Sequence, residues 1–297
     1  MRRSVPLAAA LLALLLSMHA QRPAPGGAPA VVNDGYGDYV FVSAGAFRMG
    51  DNFGVGEPRE RPVHVVELDA FYIGKYETTN GEWKKFRDDP GYDDPKFWPD
   101  ERVAPKNQVP YWSDARNHGG ATAGSDPYPV LGVNWDSATA YCNWLSAKTG
   151  KKYRLPTEAE WEKAARGTDQ RRYPWGNEID HSFANFAGAS NFDTGSLVGY
   201  YDGGKHGDLQ THSNASPYGA FDMAGNVMEW RQDWYSRNYY SVSPRRNPKG
   251  PDSGAYRVVR GGSFFMDSLD LRTYARSAAW PSFQGHRMIG FRAAREP

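Results

Sequence analysis

The chain has 297 residues, with 35 Lys and Arg against 34 Asp and Glu and a formal net charge of +1. That balance, with no block of like charge, removes the electrostatic case for nucleic-acid binding. The only cysteine is Cys142, which excludes an internal disulfide and any chemistry that needs two thiols in one chain.

Residues 1–20 read as an export signal. Arg2 and Arg3 precede an apolar run from Val5 to Leu16, and Ser17 to Ala20 offers small residues for cleavage. The run is shorter than the roughly 20 apolar residues of a membrane span. No transmembrane span is therefore expected beyond the signal, and an uncleaved N-terminal anchor is the alternative. Residues 21–37 are rich in Pro, Ala and Gly and read as a linker, with one folded domain over 38–297. The expected location is periplasmic or secreted.

Within the domain, Thr79 caps a first helix running through Glu82, Trp83 and Phe86 until Pro90. Ala138, Tyr141, Cys142 and Leu145 mark the inner stripe of a second, capped by Asn134 or Asp136 and closed by Gly150. Thr157 and Glu160 form a capping box that opens a third, which ends at Gly167. Short strands are expected at 39–42, 47–49, 63–68, 71–76, 197–201, 257–260 and 289–293. The chain holds 10 Trp, 18 Tyr, 14 Phe, 32 Gly and 21 Pro, which suits a fold with much ordered loop.

Several stretches stand in a specific order. They are Phe47-Arg48-Met49-Gly50, Tyr76-Glu77-Thr78-Thr79-Asn80, and Arg154-Leu155-Pro156-Thr157-Glu158-Ala159-Glu160-Trp161-Glu162. Then come Tyr173-Pro174-Trp175-Gly176, Asp222-Met223-Ala224-Gly225-Asn226-Val227, Glu229-Trp230, Arg260-Gly261-Gly262-Ser263 and Gly290-Phe291-Arg292. In this order and spacing they resemble the formylglycine-generating enzyme, or sulfatase-modifying factor, family over about residues 38 to 295. The resemblance implies an irregular α+β fold of the variant C-type-lectin kind, with short strands, few helices and long ordered loops.

The family's founding activity oxidises a substrate cysteine to formylglycine with oxygen and a copper ion held by two enzyme cysteines. Those thiols fall shortly after Arg-Gly-Gly-Ser. Here residues 264–276 contain none, and Asp and Ser do not replace soft thiolates, so copper is not expected. Met266 reads as a core residue, and Cys142 as a small buried apolar one.

The resemblance also implies two structural calcium sites. One falls on the Asp222 and Glu229 side chains and the Gly225 and Val227 carbonyls. The other begins with Asn185 and the Phe186 carbonyl, with Asp193 as its downstream acid and Asp202 as the alternative. Calcium takes six to eight such oxygens; turn-capping is the plainer role for Asp222 and Glu229. Near the family's substrate groove fall Trp230, Ser263, Phe264, Tyr274 and Arg276. Arg276 could pair with a ligand carboxylate, whereas Trp230 and Phe264 read more readily as core. The function expected is a calcium-stabilised module that binds a peptide, glycan or partner protein, without assigned catalytic residues. The alternative is a divergent oxidoreductase acting on a non-sulfatase substrate.

Overall fold

The computed structural model describes residues 30–99, 126–189, 195–282 and 288–297. In chain order the strands are β1 (Val31–Asn33), β2 (Asp38–Val42), β3 (Gly45–Met49), β4 (His64–Leu68) and β5 (Phe71–Gly74). The helices α1 (Asn80–Arg87) and α2 (Trp135–Thr149) follow, then β6 (Tyr153–Arg154) and α3 (Glu158–Arg166). The second half carries β7 (Lys205–His206), β8 (Leu209–Gln210), β9 (Met228–Trp234), β10 (Arg257–Arg260) and β11 (Ser277–Ala279). It ends with β12 (Ile289–Gly290) and β13 (Ala294–Arg295).

The helices begin and end where local chemistry dictates. Thr79 accepts from the Glu82 backbone N–H while Glu82 reaches back, and Thr157 and Glu160 repeat the reciprocal bond on α3. Asn134 is the cap of α2, and Gly150 closes it at a φ of 71°. Among the described residues the two larger sheets are ordered β1-β2-β5-β13-β6 and β11-β10-β9-β12, and β3-β4 and β7-β8 form two-stranded sheets. In the first, β13 pairs with both β5 and β6, so the last strand of the chain is inserted between strands that precede it by more than 130 residues. In the second, β9 is central, and β12 runs parallel to it.

An aromatic core fills the space between α1, α2 and β12. Trp83 packs edge-on to Phe86 at 5.3 Å between centroids, and Tyr141 meets Phe291 at the same distance. A second core joins β2 to β5 with α3 through Val40, Ile73, Trp161 and Ala164, all fully buried. The fold class is the expected α+β, with three α-helices and many short strands among the described residues.

Three differences from the sequence reading have physical causes. The linker expected through residue 37 ends earlier, because Val31–Asn33 pairs antiparallel with β2 and Asp34 turns the chain by accepting from the Tyr36 and Gly37 N–H groups. Residues 1–29 lie outside the described residues. Residues 197–201 form a turn rather than a strand, with Gly199 at a φ of 69° and the Tyr200 N–H bonded to the Leu197 carbonyl. Strand β9 was not expected, because Glu229, Arg231 and Asp233 make it look polar, yet all three are buried.

The turn after β10 is the tightest test of this packing. Gly262 has a φ of 67°, and a Cβ there would lie 2.6 Å from Leu271 Cδ1 and 3.0 Å from the Asp270 carbonyl. Gly262→Ala is expected to cost about 2–3 kcal/mol in a urea unfolding curve, from left-handed strain plus the clash. A loss below about 0.5 kcal/mol would show that this turn is not held as described.

Candidate functional site

The site is built where the Asp222–Trp230 segment meets the turn after β10. The Gly225 N–H bonds to the Gly261 carbonyl at 2.8 Å, and the Phe264 N–H to the Asn226 carbonyl at 2.9 Å. Asp222 and Asn226 both take the left-handed conformation, at a φ of 57°. Side-chain bonds hold them there. Asp222 Oδ1 accepts from Asn214 Nδ2, and Asn226 donates to Glu77 Oε2 and accepts from the Ser196 N–H. Burial, then neighbouring Asp222, pushes the Glu77 carboxyl well above the ordinary range. Burial raises Asp222 as well.

Helix α3 underpins this junction from below. Glu158 and Glu162 lie one turn apart on the same face. Arg260 Nη1 reaches Glu158 Oε1 at 3.1 Å, and its Nη2 reaches Glu162 Oε2 at 2.6 Å and the Thr273 carbonyl at 2.7 Å. Arg276 makes a two-pronged pair with Glu158, at 2.7 and 2.8 Å, and lies over the Tyr240 ring. Burial works against the Glu158 charge, but Arg276 and Arg260 hold its carboxyl below the ordinary range.

These contacts decide the fate of the residues expected to line a groove. Arg276 is buried and its carboxylate partner is internal, so it is not presented to a ligand. Trp230 is buried and donates to the Val133 carbonyl. Ser263 is buried, its hydroxyl accepting from the Phe265 N–H. Tyr274 is buried and stacked on Phe53. Of the five, Phe264 alone is partly exposed. The surface here is made instead by its neighbours: Phe265 is 72% exposed and Leu269 59%. The backbone between them is fixed: Ala187 donates to the Met266 carbonyl, Tyr173 to that of Ser268 and Arg272 to that of Leu269. Met266 is partly buried and packs against the aromatic core.

No thiol stands near this loop among the described residues. Cys142 lies fully buried on α2, and burial pushes its thiol far above the ordinary value.

In the first expected calcium set, the Glu229 carboxylate is already engaged by side chains. Glu229 Oε1 accepts from Arg292 Nε and Nη2, at 3.0 and 2.8 Å. Its Oε2 accepts from Arg231 Nη2 at 2.6 Å, Arg292 Nε at 2.9 Å and Trp161 Nε1 at 3.1 Å. A carboxylate offers about four acceptor positions, and these contacts fill them. Glu229 therefore does not fit the role of a calcium ligand in this arrangement. In the second set, the Asn185 carbonyl accepts from the Asn226 N–H and the Phe186 carbonyl from the Ala189 N–H. Asp193 lies outside the described residues. Asp202, the alternative acid, pairs with His206.

Two charged residues that carry this region were absent from the sequence reading. Arg231 and Asp233 stand two and four residues after Glu229, on the same strand face by the period of two. That spacing was the available signal. Asp233 accepts from the Glu158 N–H at the start of α3, and burial, then Glu158, raises its carboxyl to about 8. Burial draws Arg231 down to about 10 despite Glu229.

Two outcomes follow. Cys142 should resist a disulfide exchange reagent at pH 8 in the native chain and react at least about a thousandfold faster in denaturant; comparable rates would contradict its burial. Asp233, with a folded pKa above its unfolded one, holds a proton in the folded state alone between pH 4 and 8. Stability is thus lost as pH rises through that window, by at most about 1.4 kcal/mol per pH unit. Asp233→Asn should flatten this part of a stability-against-pH curve, and an unchanged slope would exclude Asp233 as its source.

Comparison with known proteins places this architecture. The family model for the sulfatase-modifying factor enzyme 1-like domain matches residues 28–297. The formylglycine-generating enzyme of Streptomyces coelicolor is 34% identical over 298 residues, covering 86% of this chain and 88% of that protein. The serine/threonine-protein kinase pkn1 of Chlamydia caviae is 35% identical over 266 residues, covering 87% of this chain but 38% of the kinase, so the chain spans about two-fifths of that relative. The structure of PvdO from Pseudomonas aeruginosa superposes with a TM-score of 0.71 at 29% identity, covering 91% of this chain and 99% of that one. On the match of the family model and the shared extent with the Streptomyces enzyme, the chain belongs to the sulfatase-modifying factor enzyme 1-like family.

Proposed function

We propose that this chain is an exported, copper-free member of its family that serves as a binding or assembly module. It binds a peptide, glycan or partner protein at the surface around Phe264, Phe265 and Leu269. One observation carries the reading. The loop that follows Arg260-Gly261-Gly262-Ser263 has no thiol and exposes two large apolar side chains in its place. Exposed apolar groups on a loop fixed by Met266, Ser268 and Leu269 carbonyl contacts suit recognition, because little order has to be gained on binding. Copper(I) held by two thiolates has no counterpart here. Export to the periplasm or beyond belongs to the same proposal and rests on residues 1–20. Among the described residues no helix is long and apolar enough to cross a membrane.

A second reading, a divergent oxidoreductase acting on a non-sulfatase substrate, is favoured by the likeness to the Streptomyces formylglycine-generating enzyme. It needs a redox centre of different composition from two cysteines.

Metal content and oxygen uptake on a thiol peptide separate the two. The binding reading expects no stoichiometric copper or iron and no uptake above the peptide blank. Stoichiometric redox metal with turnover would replace it by the oxidoreductase reading. The surface itself is tested by Phe265→Ser/Leu269→Ser, screened against peptide and glycan arrays. The variant should retain its melting temperature to within about 2 °C, since both side chains are exposed, and lose at least about tenfold in affinity for whatever the native chain captures. Unaltered binding would place recognition on another face.

A further inference from the structure

We infer that the Asp222–Glu229 turn is closed by guanidinium groups, with Arg231 and Arg292 occupying the electrostatic role that a divalent cation would have there. The inference concerns this turn alone and stands apart from the ligand surface proposed above.

The geometry on both sides of Glu229 supports it. Arg292 approaches one side of the carboxylate with Nε and Nη2. The same guanidinium also donates to the Gly74 carbonyl at 3.0 Å and to the Phe221 carbonyl at 2.9 Å. It thus joins the end of β5, the residue preceding Asp222 and strand β9 in one set of bonds. Arg231 completes the other side. Its Nη2 reaches Glu229 Oε2 and its Nε reaches the Glu229 backbone carbonyl at 3.2 Å. An ion of charge two would bind carbonyl and carboxylate oxygens together in this way; here one arginine does so within a single strand. Glu229, Arg231 and Arg292 all have side chains with no exposed surface, so solvent does not screen their pairing, and Arg292 also faces the Glu77 and Asp222 carboxylates.

The neighbouring carboxylates are engaged as well. Asp222 accepts from the Gly199 N–H and from Asn214, and Glu77 accepts from Asn226 and from the Val227 N–H. The turn therefore closes through N–H donors at each of its carboxylates. A calcium ion would have to displace Arg231 from Glu229, leaving a buried guanidinium without its partner.

The experiment compares melting temperatures of the full chain in excess EGTA and in millimolar calcium, for the native sequence, Glu229→Gln, Arg231→Met and the double variant. Guanidinium closure predicts that Glu229→Gln lowers the melting temperature by about 10 °C in both conditions, because two buried arginines lose their carboxylate. The double variant should then recover part of that loss, since one stranded cation is gone. Any calcium response of the native chain should persist undiminished in Glu229→Gln, which assigns the ion elsewhere and supports the proposal. A calcium-dependent rise in the native chain that Glu229→Gln abolishes overturns it. If Glu229→Gln does not accumulate as folded protein, Asp222→Ala takes its place, leaving Glu229 and both arginines intact. Loss of the calcium response in that variant overturns the proposal, and retention supports it.

Discussion

The buried pairing of arginine with glutamate on α3 and β9 is the constraint on which the rest of the molecule depends. Glu158 and Glu162 project from one face of α3 and bind Arg260 from the end of β10 and Arg276 from just before β11. Glu162 also accepts from Arg166 and from the Gly50 N–H at the end of β3. A helix of only nine residues thereby fixes strands that are far apart in sequence. Such pairs contribute little net stability against an apolar alternative, but removing one partner strands a charge and costs about 3–5 kcal/mol. They therefore specify one arrangement of long loops that propensity alone would leave undetermined.

The outward-facing loop is a consequence of this arrangement. With Arg260 and Arg276 held inside, the chain between them has to leave the core after Ser263 and return at Leu271, both fully buried. The excursion is what exposes Phe265 and Leu269. The sequence can vary along it without disturbing the ion pairs, because the bonds that fix it run through the Met266, Ser268 and Leu269 carbonyls.

Much of the fold was legible in the sequence. The capping boxes at Thr79 and Thr157 and the glycine closing α2 are local signals, and the structure follows them. The ordered motifs named the family. Strand β9 was not legible by hydrophobic pattern, since its charges are accommodated by contacts the pattern does not show: Glu229 pairs with remote Arg292 and with Arg231, and burial raises the Asp233 carboxyl to about 8. The start of the domain was placed too late because Val31–Asn33 gains its order only by pairing with β2. At the site, the absence of thiols after Ser263 could be read directly. The burial of Trp230, Ser263, Tyr274 and Arg276 could not, because it depends on where α3 and β9 pack.

The most direct test of this account is a double-mutant cycle on Glu158→Gln and Arg276→Met, followed by chemical unfolding at low and high salt. Organisation by buried ion pairs predicts a coupling of at least about 2 kcal/mol that changes little with salt, since a pair excluded from solvent is poorly screened. Independent effects, with a coupling within about 0.5 kcal/mol, would contradict it.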